Sequence, residues 1–559
     1  MQKNRIATFI IACIASHTIA QNAEPYTPTG KAELLVQMTE KGVPDAWNTL
    51  PHAINNDSSK WLQAGIYGDS YGRTDWAAAL NHSFSNELKT GLSAEYTHDF
   101  INKDANNDGF RDLPKKKELS IANHWHFSKG RYTAELGIET LNNAYTGGST
   151  HFKGRKADTT NYGVFTKRDR LKAWTSHSYA FNAKNMVKAR LSYAYDYKEA
   201  LYGTKTNQNN INTYDAQAEY IRTFNKHHTL RAGVTHNGYM TTNNLRPDDS
   251  LYIDNIESYA NDFTTGIFTE YTFKIDSILH INVSAKGDWS YWTGFFYSPE
   301  VSISYNPYKS LAINANASRK QIKEDVFANW SGLLMSSRQI ITCFPYDKET
   351  KWDFGLSATQ KFKLFGRDFS ITAGYTRTQF EKRLIIDFAN SDDLLYLYFS
   401  DEDAHSDIVT LKAQYEIIKG LDATTAWRWS NVTQTIDGKL QKAPFVNSYD
   451  GIVSLSYTTP KYDFRIEADA QFYGGGRLPM AIDGSTHFDA YQLFNARITK
   501  GFGPLSLYAG VDNISDKRQR HPVLGHEKPF GSGFDATMIY APLRGRTYYL
   551  GVRLGLEKK

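Results

Sequence analysis

From Lys31 onward, apolar and polar residues alternate with a period of two in short blocks broken by Gly, Asn, Asp and Lys, and helical spacing is scarce. Leu88, Thr90, Leu92, Ala94 and Tyr96 take one face of such a block, against Lys89, Gly91, Ser93, Glu95 and Thr97 on the other. Val187, Ala189, Leu191, Tyr193 and Tyr195 oppose Lys188, Arg190, Ser192, Ala194 and Asp196 in the same way. Phe464, Ile466, Ala468, Ala470 and Phe472 oppose Arg465, Glu467, Asp469 and Gln471. Further blocks begin near Ala32, Tyr132, Phe263, Leu311, Phe369, Val409, Leu505 and Tyr548. Each predicts a strand with one face in an apolar phase and the other in water.

Strands of this kind occur in soluble sandwiches and propellers and in transmembrane barrels. Three features favour the barrel. Many blocks run nine residues or more, enough to cross a bilayer at a tilt of about 45°. Aromatics crowd block ends, as in Trp289-Ser-Tyr-Trp292, Phe295-Phe-Tyr297 and Trp427-Arg-Trp429, which suits interfacial girdles. Connections alternate between short ones, such as Ile418-Lys-Gly420 and Asn225-Lys-His-His228, and long polar ones, such as Asn237 to Asp262 and Phe380 to Ser406. The expected fold is all-β: a transmembrane antiparallel barrel of about 22 strands, each allotted roughly 24 residues with its connection. Sixteen or eighteen strands with longer loops also satisfy the length.

Composition narrows the alternatives. The 559 residues include 36 Tyr, 31 Phe and 11 Trp, far more aromatic surface than a solvated disordered chain carries. No apolar run approaches the roughly 18 residues a spanning helix needs. The 64 Lys+Arg against 59 Asp+Glu form no basic stripe, so a nucleic-acid partner is not expected. Residues 1–20 have a basic start, an apolar stretch and small residues at Thr18 and Ala20, the pattern of a cleaved export signal. A lipobox reading of Ile10-Ile-Ala-Cys13 would leave a signal too short. Cys13 and Cys343 are the two cysteines, so no internal disulfide is expected after cleavage.

The carboxyl end carries a resemblance. Leu507-Tyr-Ala-Gly-Val-Asp-Asn-Ile-Ser-Asp516 resembles the penultimate barrel segment of TonB-dependent outer-membrane receptors, and Gly545-Arg-Thr-Tyr-Tyr-Leu-Gly-Val-Arg-Leu554 resembles their closing strand. Gly551, Leu554 and Leu556 match the sorting signal of such strands, although Lys558 and Lys559 follow where an aromatic residue is usual. Asn107-Asp-Gly-Phe-Arg-Asp-Leu-Pro114 and Thr29-Gly-Lys-Ala-Glu-Leu-Leu-Val36 resemble early barrel segments of relatives in the Bacteroides group. The resemblance implies a receptor for a scarce chelate such as a siderophore, haem or cobalamin, coupled to inner-membrane energy through a plug domain and a TonB box. The chain departs from that pattern. Residues 21–30 precede a barrel expected over 31–559, so no encoded plug is expected, and Glu24-Pro-Tyr-Thr-Pro28 does not match a TonB box. TonB coupling by this chain alone is therefore not expected, and a plug-bearing or lipoprotein partner chain is.

Four clusters invite chemistry. Asp104, Asn106, Asp108, the Phe110 carbonyl and Asp112 fall at calcium-loop positions 1, 3, 5, 7 and 9, with Gly109 at position 6 and Lys115 where a bidentate Glu would stand. The same residues also make an Asx-bonded turn. His124 and His126 share one strand face, opposite Ile121 and Phe127, as two ligands of an incomplete metal or haem site or as polar lumen residues. Gly68-Asp-Ser-Tyr-Gly72 has nucleophile-elbow spacing but lies between strands Trp61–Tyr67 and Asp75–Phe84, which predicts a hairpin turn and not a hydrolase. Gly474-Gly-Gly-Arg477 lacks the following helix that a phosphate loop needs and reads as a flexible loop or bulge. The reading that follows is a non-enzymatic outer-membrane receptor barrel in contact with lipid. The alternatives are a passive pore or a structural subunit of an envelope complex.

Overall fold

The computed structural model describes residues 60–246, 256–323, 329–342, 347–388, 393–459, 461 and 463–557. Its architecture follows from the alternation. Each block pairs antiparallel with its sequence neighbour, and twenty-two strands form one ring. The first strand, Lys60–Asp69, closes against the last, Thr547–Glu557, over a register from Lys60 opposite Glu557 to Asp69 opposite Tyr549. Closure pairs the two edges that lipid would otherwise strand unbonded. The block at Ala32, the signal, residues 21–30, Cys343, Lys558 and Lys559 lie outside the described residues.

Connections sort by rim. At one rim every turn has two to five residues; at the other, connections reach 513–546 between the last two strands. Short turns mark the periplasmic rim and long loops the extracellular one. Outward positions carry the apolar residues: Leu92, Leu191, Val234, Ile267, Leu356 and Ile466 form an exposed aliphatic middle. Phe84, Phe181, Phe224, Tyr308, Phe365 and Phe502 girdle the short-turn rim, while Trp76, Trp289, Trp292 and Trp429 girdle the other. The opposite parity carries Glu467, Asp469 and Gln471, which are buried on the luminal side as alternation requires.

Two expected connections prove to be largely strand. Of Asn237 to Asp262, residues up to Arg246 and from Ile256 belong to paired strands, and Phe380 to Asp387 likewise continues a strand. These stretches rise above the apolar band: in the first, Thr241, Asn243 and Leu245 turn buried onto the other connections while Thr242 and Arg246 face outward, so polar residues occupy both faces and the apolar-polar alternation of a lipid-facing strand is missing. Small accessory strands also form at this rim: Gln339–Thr342 pairs parallel with Leu394–Ser400, and Gly476–Ile482 forms a hairpin with Ser485–Phe488. Asn107–Pro114 lies in the connection after the third strand, not in a strand.

Candidate functional site

The two largest buried apolar clusters lie at the long-loop rim, not in the barrel. One gathers Phe110 from the connection after the third strand, Tyr202 from the end of the seventh, Leu245 from the end of the ninth, Met335 from the connection after the thirteenth and Phe534 from that after the twenty-first. The other gathers Leu333 from the connection after the thirteenth strand, Leu384 and Leu397 from the fifteenth and its connection, Leu478 and Phe488 from that after the nineteenth, and Met538 from that after the twenty-first. Ile340 packs against both. The thirteenth and twenty-first strands stand eight places apart in a ring of 22, roughly 130° around it. Residues with such distant roots can touch only over the lumen, so these connections form a packed cap across the outer mouth.

Polar bonds fasten the cap. Arg338 and Asp535, 5% and 3% exposed, form a buried ion pair between the two longest connections. Asp535 Oδ1 also accepts from the Thr537 N–H at 2.7 Å and its hydroxyl at 2.6 Å. Main chain joins main chain beside them, with Ser337 N–H donating to Phe534 O at 2.8 Å and Ala536 N–H to Met335 O at 3.1 Å. Lys205 Nζ donates to the Ser336 and Arg338 carbonyls at 2.7 and 3.2 Å, tying the cap to the eighth strand. Connection 513–546 is held internally by Gln519, whose Nε2 donates to Met538 O at 2.7 Å while its Oε1 accepts the Tyr540 and Ala541 N–H groups. It is tied to the first hairpin by the Arg544–Asp69 ion pair and by Gly545 N–H donating to the Tyr71 hydroxyl at 2.8 Å. Burial pushes the Tyr162 phenol up, and the Arg546 N–H, with Arg518, holds Asp516 below the usual carboxylate range. Between Phe110, Tyr162, Met335 and Ala536 lies a cavity of about 50 Å³.

The sequence-derived candidates fall around this cap. Phe110 enters its core, but the carboxylates of the adjoining loop are not gathered into one shell. Asp104 accepts the Asp108 and Gly109 N–H groups at 3.2 and 2.9 Å, and Asp108 accepts the Phe110 N–H at 2.8 Å. Asn107 and Gly109 adopt positive φ, 57° and 82°, as such a turn requires. Asp112 accepts the Ala105 N–H at 3.1 Å, and burial raises its pKa. His124 and His126 face the lumen, His124 lying over Gly91 and His126 Nδ1 standing 3.6 Å from Glu135 Oε1. Among the described residues no three His, Cys, Asp or Glu side chains assemble to hold a metal.

Ser70 sits on a hairpin turn and its hydroxyl accepts the Tyr548 N–H at 3.1 Å, a fastening of the closing strand. Gly474 to Gly476 let two connections approach main chain to main chain, with Ser448 N–H donating to Gly475 O at 3.1 Å and Phe445 N–H to Arg477 O at 2.9 Å. This run is therefore a close-packed junction rather than a flexible loop. Sequence reasoning passed over Arg338, Gln519 and Asp535. The available signal was the apolar content of a long connection, Val523, Phe530, Phe534, Met538, Ile539 and Leu543, which a fully solvated loop would not carry.

No family model and no curated protein matches this chain. Solved structures do. The ferric enterobactin receptor PfeA of Pseudomonas aeruginosa aligns at TM-score 0.65 and 12% identity, over 89% of this chain and 80% of that one. The copper transporter OprC aligns at TM-score 0.68 and 12% identity, over 89% and 80%. This chain has the fold of an outer-membrane receptor barrel. The ferric-catecholate import receptor Fiu of E. coli K12, at TM-score 0.63 and 12% identity over 89% and 82%, repeats the match. At such identity the likeness concerns the ring and not its ligand.

Proposed function

We propose that the chain is an outer-membrane receptor for a scarce metal chelate of the siderophore, haem or cobalamin class, exported by a cleaved signal at residues 1–20, whose own extracellular connections shut the outer mouth between binding events. The observation that carries this reading is the cap core, assembled from connections rooted all around the ring. A passive pore would have no use for connections packed into common apolar cores across its mouth. The ligands in the names of PfeA, Fiu and OprC, ferric enterobactin, ferric catecholates and copper, support the metal-chelate class. In this reading a plug-bearing polypeptide meets the polar luminal faces from the short-turn rim and supplies the coupling to TonB. Cells that depend on this barrel should accumulate labelled iron presented as a ferric catecholate or as haem, or labelled cobalamin, and purification from the native membrane should recover a second chain. Accumulation of none of the three ligands would overturn the receptor reading. Recovery of the barrel alone would overturn the plug in trans.

A further inference from the structure

Residues 149–162 connect the fifth strand, Tyr132–Gly148, to the sixth, Gly163–Asn182, and they send Tyr162 into the cap but Phe152 over the outside of the wall. Phe152, 1% exposed, packs with Phe165 and Leu201 and against Ala144. Phe165 shares its strand face with lipid-facing Leu171 and Tyr179, Leu201 with Leu191 and Tyr193, and Ala144 with Leu136 and Ile138. All three therefore face outward by the two-residue period. The opposite face of the same strands sends Val164, Ala200 and Tyr202 into the cap. Gly163 permits the outer contact, since a Cβ there would stand 2.2 Å from the Phe152 ring. Arg111 clamps the connection by donating to the Ser149 and Phe152 carbonyls at 2.5 and 2.6 Å.

This drape brings cations to a face that already holds others. On the fourth strand, Lys115–Lys129, Lys115 and Lys117 continue the face of Leu119 and Ile121, which look into lipid. Across the ladders Lys115 stands in one row with Thr146, Phe165 and Leu201, and Lys117 in the next with Ala144, Lys167 and Glu199. The Arg155 guanidinium lies 5.3 Å from the centre of the Phe165 ring. Burial lowers the Lys115 pKa, and the neighbouring Arg111 and Lys153 push it further down. His98, paired with Lys117 on the third strand, Leu88–Asp99, is likewise lowered by burial and then by Lys117 and Lys115. The carboxylates nearby are engaged. Asp169 is held by Lys167 at 2.6 Å and by the Asn142 amide, Glu199 stands opposite Lys167, and Asp158 accepts the Thr160 and Asn161 N–H groups of its own turn. Among the described residues, Lys115, Lys117 and Lys153 have no carboxylate partner.

Like charges crowded beside an apolar surface call for a counter-anion, and their position says which. The ammonium groups point out of the wall immediately above the aliphatic band, the level at which a bilayer places its head groups. Phosphate is the anionic group found there, and its oxygens accept charge-assisted bonds from ammonium and guanidinium. A free anion would gain nothing from Leu119 and Ile121 beneath it. We infer that this face of the wall holds the phosphorylated head group of an outer-leaflet lipid among Lys115, Lys117, Lys153 and Arg155, with its acyl chains along Leu119, Ile121, Leu136 and Ile138. The inference needs only that the barrel crosses a membrane, and it stands apart from the receptor reading.

The test uses the full chain in phosphatidylcholine vesicles doped with lipid A carrying a photoactivatable acyl chain, either diphosphorylated or stripped of phosphate, with adducts mapped by peptide mass spectrometry. Residues 117–121 and 136–140 should take several-fold more label from the diphosphorylated probe. Lys115→Gln/Lys117→Gln/Lys153→Gln should remove that preference, and Lys115→Arg/Lys117→Arg/Lys153→Arg should keep it. Both variants should retain the heat-modifiable migration of the unaltered chain, since none of the three side chains is buried. Equal labelling of the unaltered chain by the two probes would overturn the inference. So would a preference that survives the glutamine substitutions, or one that millimolar inorganic phosphate abolishes, since that would mark a site for the free ion.

Discussion

Asp535→Asn is the sharpest perturbation of the cap. The amide keeps the oxygen that accepts from Thr537 but removes the charge that Arg338 faces. Arg338 retains Met480 Sδ at 2.9 Å and the Phe388 ring at 5.9 Å, neither of which neutralises it, and its side chain is 5% exposed. Removing one partner of a buried pair costs about 3–5 kcal/mol. At 1.36 kcal/mol per tenfold, cap opening should become more frequent by roughly 150- to 5,000-fold. The Ser337 and Ala536 amides, bonded to Phe534 O and Met335 O, report the opening by hydrogen exchange. Amides of the strand Gly163–Asn182 should exchange at their original rate, because that strand is bonded within the ring. In planar bilayers the variant should conduct in bursts where the unaltered chain is quiet. Arg338→Met/Asp535→Asn, which leaves no buried charge and keeps the oxygen that accepts from Thr537, should return exchange close to the original rate. Unchanged exchange at Ser337 and Ala536 in Asp535→Asn would refute the ion pair as the fastening of the cap.

Phe534→Ala removes a ring that is 1% exposed and packs against Tyr162 at a centroid distance of 4.4 Å. It should destabilise the cap by about 3–5 kcal/mol, read as faster proteolysis of connection 513–546, while heat-modifiable migration of the barrel is retained. Asp516 accepts the Arg546 N–H at 2.7 Å and sits below the usual carboxylate range because of it, so its contribution is present above the ordinary value of about 4 and is lost as pH falls through the lowered one. Arg546 amide exchange, corrected for its intrinsic pH dependence, should therefore rise in acid, and Asp516→Asn should abolish that rise. Calcium should slow protease cleavage near Asn107 by drawing Asp104, Asn106, Asp108, the Phe110 carbonyl and Asp112 together, whereas equal rates with calcium and with chelator would leave the Asx turn as the whole account.

Much of the ring was legible because period-two alternation is a local property: one phase takes every second side chain, and the other takes the rest. It assigned Ile466 and Phe472 to lipid and Glu467 and Asp469 to the lumen, placed His124 and His126 on one luminal face, and marked Ile418 to Gly420 as a tight turn. It left open 16, 18 or 22 strands, since chain length trades strands against loops; the pairing of Lys60–Asp69 with Thr547–Glu557 decides for 22. It took Asn237–Arg246 for a loop, because a strand with polar residues on both its buried and its exposed face shows no apolar-polar alternation and is recognised only by the neighbour it bonds. The cap was beyond its reach altogether. Arg338 and Asp535 stand 197 residues apart. Alternation along the chain dictates which way each side chain faces. Only closure of the ring determines which loops meet above it, because that depends on contacts between residues remote in sequence.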